Sequence, residues 1–235
     1  SPVANHAKLA PSAAHRWIRC PGSVALAAQY PRTSNAYADE GTFAHGIAAE
    51  CLRMESDAEH HAGETSLCGR FTVSDEMVNA IQVYLDAVRG VMLMEGGELI
   101  VEAKVTVLAP LVTGTPDAVV HTTRCIHVFD FKYGAGVFVP VDDNEQLLTY
   151  AAGVMVTLFR VGLPQIVERR KVARAQTVAL DLDVVMHIVQ PRCSQGAPWR
   201  SIATSALRVM NWTEDVLLVA VKAAEKPDAP LIAGD

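Results

Sequence analysis

Two short stretches carry side chains that could act on a substrate. Residues 113–119 read TGTPDAV and residues 128–134 read VFDFKYG. Twelve residues separate Asp117 from Asp130, and one separates Asp130 from Lys132. Both stretches are otherwise apolar and strand-like, and a charge buried in such a run is costly unless something pairs with it. Alternate side chains of a strand share a face, so Asp130 and Lys132 point one way while Phe129 and Phe131 point into the core. If the segment holding Asp117 is the antiparallel neighbour, its carboxylate lies beside that of Asp130 across the ladder. Two carboxylates so placed repel unless a cation lies between them. Hard oxygen donors favour Mg2+ or Mn2+. Lys132 then stands where it can position a water. A metal, a water and a nearby cation are the equipment for hydrolysing a phosphodiester. Taken in isolation, Asp-x-Lys reads as a surface ion pair, and Asp117 as a turn residue after Gly-Thr-Pro.

The elements that must position these residues fall into three stretches: 1–95 mainly helical, 96–195 a sheet core, and 196–235 a C-terminal helix and tail. In the first, Ser12 could cap a helix over AAHRWIRC that Pro21-Gly22 stops. A second helix covers GTFAHGIAAECLRME. A third covers SDEMVNAIQVYLDAVRGVML, capped by Ser74 or Asp75, with Met77, Ile81, Tyr84, Leu85 and Val88 at helical spacing. The middle stretch changes period. ELIVEAKVTVLAP alternates as one strand, with Ile100, Glu102, Lys104 and Thr106 on one face. LVTGTPDAVVHT and CIHVFDFKY follow as two more, in an antiparallel meander. NEQLLTYAAGVMVTLF is a helix with Asp142 or Asp143 as its cap, and DVVMHIVQP is a last strand ended by Pro191. A helix from about Ser201 to Ala224 closes the chain. The segment 162–181 has no assigned fold.

Composition narrows the function classes. The chain has 235 residues, half of them hydrophobic, which suits one large domain with ample core. A net charge of −6 and a pI near 5.7 count against a protein that coats DNA through bulk positive charge. They leave room for a local basic stripe, and Arg169, Arg170, Lys171 and Arg174 form one, although each of them taken singly reads first as part of a solvated helix face. Five scattered cysteines with no CxxC suggest neither a disulfide framework nor a zinc site, and point to a reducing, cytoplasmic setting. No apolar run is long enough to span a membrane, and the first residues lack a signal-peptide layout. No phosphate-loop lysine motif is present.

Pro116-Asp117 followed by Asp130-Phe131-Lys132 resembles the motif of the PD-(D/E)XK nuclease superfamily. Three further segments are similar to its RecB-like and phage (lambda-type) exonuclease branch: SAAHRWIRCP near the start, EGTFAH at 40–45, and NEQLLTY at 144–150. With IVQPR at 188–192, the order resembles an uncharacterised family of phage and prophage nucleases over residues 7 to about 225. The resemblance implies an α/β fold with a restriction-endonuclease-like core, a mixed β-sheet of about four strands flanked by helices, and a helical N-terminal extension. It implies that Asp117, Asp130 and the Phe131 carbonyl hold one or two Mg2+ or Mn2+ ions and that His45 is an added ligand. Lys132 would orient the attacking water, and Gln146 and Tyr150, four apart on one helix face, would border the site. Glu102 matches a glutamate one strand earlier, a ligand for a second metal or a water, or else a surface charge. His45 is otherwise a histidine bonded to backbone, and Gln146 and Tyr150 helix surface and core. Trp17 and Cys20 read as packing residues. Some relatives hold an iron–sulfur cluster with one early and three late cysteines. Here only Cys193 lies late, so no cluster is expected. The implied activity is exonucleolytic hydrolysis of linear double-stranded DNA in phage or prophage recombination or repair, inside a bacterial host. Homo-oligomerisation and work beside a single-strand annealing protein are further implications. A structure-selective endonuclease using the same residues is the alternative, and so is a non-catalytic module that binds DNA or a partner.

Overall fold

The computed structural model describes residues 8–30, 35–159 and 182–232. The basic stretch at 169–174 and the whole of the unassigned segment 162–181 lie outside the described residues. Helices α1 (Ala14–Arg19) and α2 (Ser23–Ala28) precede two long helices, α3 (Ala36–Met54) and α4 (Asp75–Glu95). Strands β1 (Glu98–Val101), β2 (Val105–Leu108), β3 (Val112–Gly114), β4 (Ala118–His121) and β5 (Cys125–Phe131) follow, then α5 (Glu145–Leu158). Past the undescribed segment come β6 (Asp183–Val189), β7 (Trp199–Ser205), α6 (Ala206–Trp212), a π-helical turn, and α7 (Leu218–Ala224). Among the described residues, no helix is long and apolar enough to cross a membrane.

Five strands form one mixed sheet in the order β1-β4-β5-β6-β7, and β2-β3 form a separate hairpin. β5 lies centrally, antiparallel to β4 and parallel to β6. Parallel neighbours need a crossover, and α5 lies in it. The period of two in β5 sorts its side chains into two cores. Ile126 and Val128 join Val184, Met186 and Ile188 beneath α5 and α7. Phe129 and Phe131 join Ala118 and Val120 beneath α3 and α4. The result is an α/β protein whose sheet is covered by helices on both faces.

The helical periodicity of α4 holds: Met77, Ile81, Tyr84, Leu85 and Val88 are all buried, and Ser74 is the cap, accepting from the Met77 N–H. Other expectations need correction. Ser12 does not cap α1; a 3-10 turn over Pro11–Ala13 leads in, and Ala13 stands at the cap with no side-chain bond. α3 begins five residues earlier than GTFAH, because the Asn35 side chain accepts from the Ala38 N–H. Asn144, not Asp142 or Asp143, caps α5. The segment ELIVEAKVTVLAP is two strands in two sheets. Glu102 adopts a left-handed backbone, φ 49°, which ends β1 and breaks the alternation that joined Glu102 to Thr106. LVTGTPDAVVHT is likewise divided, by Thr115–Asp117. Among the described residues the main sheet has five strands, where about four were expected, and it extends past residue 195. The fifth, β7, occupies residues expected to begin the last helix. Its sequence mixes strand formers (Trp199, Ile202, Thr204) with Ala and Ser, and pairing with β6 decides the outcome.

The β2-β3 hairpin packs under α5 at a close approach. A Cβ on Gly153 would stand 2.8 Å from Val105 Cγ2 and 3.1 Å from its Cβ. Replacing a helix-interior glycine by alanine ordinarily stabilises by about 1 kcal/mol. At Gly153 the overpacking term wins: Gly153→Ala is expected to destabilise by about 1–3 kcal/mol. The measurement is thermal unfolding, and a higher melting temperature for the variant would contradict this packing.

Candidate functional site

The carboxylates meet at one end of the sheet. β4 and β5 pair with Ala118 opposite Phe129. Continuing that register by one residue sets Asp117 opposite Asp130. The Asp117 carboxylate is held on both oxygens: Oδ2 accepts the Phe131 backbone N–H at 2.7 Å, and Oδ1 lies 2.9 Å from His45 Nδ1. α3 brings His45 over the strand ends, with its ring centroid 5.2 Å from that of Phe131. Beneath, Tyr84 of α4 stacks on Phe131 at 4.8 Å. Phe131 thus sends its ring into the core, as strand alternation requires, and its backbone into the site.

Asp130 is almost wholly buried. Its Oδ1 accepts from Gln146 Nε2 at 2.9 Å. Its Oδ2 lies 2.8 Å from Lys132 Nζ, in ion-pair contact but outside hydrogen-bond geometry. Lys132 Nζ donates instead to Gln146 Oε1 at 3.0 Å, and Gln146 Nε2 also reaches the Tyr150 hydroxyl at 3.2 Å. One amide at the start of α5 therefore ties a carboxylate, an ammonium and a phenol together. Asn144 caps the helix two residues earlier and so fixes where Gln146 points.

The electrostatics follow from burial and from the paired carboxylates. Burial pushes the Asp130 carboxyl above the usual carboxylate range; Lys132 opposes the shift and the charge of Asp117 adds to it. Burial acts to lower the His45 pKa, but the charge and hydrogen bond of Asp117, helped by Asp130, outweigh it and hold His45 above its ordinary value. Tyr150 is raised by burial, with the charge of Asp130 adding, so it keeps its proton at neutral pH. Tyr84 is raised by burial and by Asp117, Asp130 and Glu102.

Glu102 shares a small pocket with His45, Tyr84, Asp117 and Phe131. Its carboxylate is drawn outward by Arg53, 2.7 Å away on α3, and its backbone N–H donates to the Asp117 carbonyl at 3.2 Å. It does not share a strand face with Lys104, since β1 ends at Val101. The sequence reading missed Arg53 and Tyr84. Tyr84 was legible only as one member of a helical core stripe. Trp17 packs, with its indole N–H on the Ala10 carbonyl.

Two carboxylates and an imidazole are donor types that a hard divalent cation accepts, and Asp130 Oδ2 is buried in ion-pair contact with Lys132 rather than hydrogen-bonded. Among the described residues, no three His, Cys, Asp or Glu side chains already converge as a ligand set. Asp117 is engaged by His45 and the Phe131 N–H, and Glu102 by Arg53.

Fold and site define an α/β protein with a mixed five-stranded sheet and a cluster of acidic, basic and aromatic side chains at one end of its strands. The chain belongs to the DUF2800 family, proteins of unknown function, whose model matches residues 6–163. That match includes every residue of the cluster and ends before β6. Among solved structures, the chain is similar to one titled "Crystal structure of SSO0001". The identity is 9%, over 80% of this chain and 86% of that one, with a TM-score of 0.24. A likeness that slight carries no argument.

Asp130 binds its proton more tightly in the folded state than in the unfolded chain. Its contribution to stability is therefore greatest below the unfolded carboxylate pKa of about 4 and is lost as pH rises through the raised folded value. Asp130→Asn removes the buried charge without changing shape. In the presence of a chelator at pH 8, Asp130→Asn should melt a few degrees above the wild type, with the difference shrinking towards pH 4. Equal melting temperatures across that range would contradict the buried, strained charge.

Proposed function

We propose that the protein is a Mg2+- or Mn2+-dependent deoxyribonuclease of the PD-(D/E)XK type, built on a restriction-endonuclease-like core. The observation that carries this reading is the single hydrogen-bonded group formed by Asp130, Lys132, Gln146 and Tyr150, with Asp117 and His45 beside it. These residues come from α3, β5 and the residue just past it, α5 and the turn before β4, and an ordinary surface ion pair would not recruit them. Asp130 is also buried at a cost that a structural role does not explain.

Asp117, Asp130 and His45 would hold the divalent cation, which supplies Lewis-acid activation of the phosphodiester. The chain's own groups do the rest. Lys132, partly open to solvent, orients the attacking water and stabilises negative charge developing on the phosphoryl oxygens. Gln146 fixes the Lys132 ammonium relative to Asp130. Tyr150 stays neutral and keeps the Gln146 amide turned towards the carboxylate. His45 fixes the Asp117 carboxylate from the opposite helical layer. Glu102, held by Arg53, stands ready for a second cation or a water.

The choice of exonuclease, linear double-stranded ends as substrate, a role in phage or prophage recombination, a single-strand annealing partner and a homo-oligomeric state all rest on the motif resemblance. The test uses linear and covalently closed circular double-stranded DNA with Mg2+ or Mn2+. Linear DNA should be degraded while circles survive, and Lys132→Ala should lose about 100-fold or more in rate. Cutting of circles would replace the exonuclease with an endonuclease using the same residues. No cutting of any DNA, single strands included, would overturn the catalytic reading in favour of a binding module.

A further inference from the structure

The segment IVQPR stands at the end of β6 and has no role in the site as described so far. Its glutamine is nearly fully buried. Gln190 lies beside the connection that runs from Lys132 to Gln146, the two residues whose side chains must meet. That connection has no regular structure between Phe131 and Glu145 and contains Gly134 and Gly136, at which a side chain would meet open space. Left to itself such a segment would not hold Lys132 and Gln146 in register.

Gln190 supplies the missing constraint. Its Oε1 accepts the Val139 backbone N–H at 3.1 Å, and its Nε2 donates to the Val137 carbonyl at 2.7 Å. A longer contact from Nε2 reaches the Gly134 carbonyl at 3.4 Å. The side-chain amide thus pairs with the loop as a neighbouring strand would. Arg200 of β7 completes the clamp. Its Nη2 donates to Gln190 Oε1 at 3.0 Å and to the Val139 carbonyl at 2.8 Å, and its guanidinium lies 4.4 Å over the Phe138 ring. The backbone of the same β6 terminus holds the other end: the Lys132 N–H donates to the Val189 carbonyl at 2.8 Å. Gln190 is itself anchored, its N–H on the Pro198 carbonyl at 2.7 Å.

We infer that Gln190 is a positioning residue: by clamping the 134–139 loop to the end of β6, with Arg200 as its partner, it sets the meeting of Lys132 with Gln146. The inference rests on the proposed nuclease reading. Gln190 acts through the loop and touches no substrate.

Two variants separate this role from mere packing. Gln190→Met fills the same space and makes none of the bonds. Gln190→Glu keeps an acceptor for Val139 and Arg200 but loses the donated bonds. Three measurements are made on each: hydrogen exchange at the Val139 amide, melting temperature, and steady-state nuclease kinetics. Gln190→Met should speed exchange at Val139 and lower kcat by about 100-fold, the order expected of a misplacement of about 1 Å, with KM unchanged. Gln190→Glu should keep Val139 protected and recover part of kcat. Wild-type kcat in Gln190→Met would overturn the positioning role, and so would unchanged exchange at Val139. A kcat loss that tracks only the melting temperature, with no recovery in Gln190→Glu, would do the same. A wild-type protein that cuts no DNA would instead remove the nuclease reading on which the role depends, while exchange at Val139 still reports whether the clamp exists.

Discussion

Two carboxylates at the ends of neighbouring strands repel, and the surroundings of Asp117 and Asp130 are arranged around that repulsion. Asp117 is held by a backbone N–H from β5 and by the His45 imidazole from α3. Asp130 is held by the Gln146 amide of α5, from the other face of the sheet, and by the Lys132 ammonium two residues along its own segment. No single element could supply all of these. The pair therefore requires helices on both faces, converging at the same end of the sheet.

The packing meets that requirement through residues that are not polar at all. Phe131 fills the space under α3 and α4, stacked on Tyr84, and this seats α3 so that His45 reaches Asp117. Gly153 lets α5 settle onto Val105 of the hairpin, and Asn144 fixes where that helix begins, so that Gln146 arrives over Asp130. Core and site are thus joined through β5, whose odd-numbered side chains serve one core while Ile126, Val128 and Asp130 face the other.

What could be read from the sequence follows from which signals are local. The alternation in VFDFKY correctly separates Asp130 and Lys132 from the two phenylalanines, because strand geometry allows nothing else. The apolar spacing in α4 and α5 is long and regular, and both helices form where it runs. The break at Glu102 had no such signal: a glutamate with positive φ carries no glycine to announce it. β7 mixes strand formers with Ala and Ser, so its sequence alone does not decide, and pairing along the edge of β6 does. The clamp role of Gln190 was invisible because its partners, Val137, Val139 and Arg200, are set beside it only by tertiary folding. His127 and His187 are a similar case. They sit on neighbouring strands β5 and β6, His127 opposite Val185 and His187 opposite Phe129, with their rings bonded to each other at 3.0 Å, and burial, with its neighbour, pushes His187 down to about 3.

If Asp117 and Asp130 form a site for a hard divalent cation, calorimetric titration of Mn2+ into metal-free protein near pH 7.5 will register it. Saturable binding should be seen, and it should disappear in both Asp117→Asn and Asp130→Asn while each variant stays folded. An absence of binding in the wild type, or binding that survives the loss of either carboxylate, would contradict such a site.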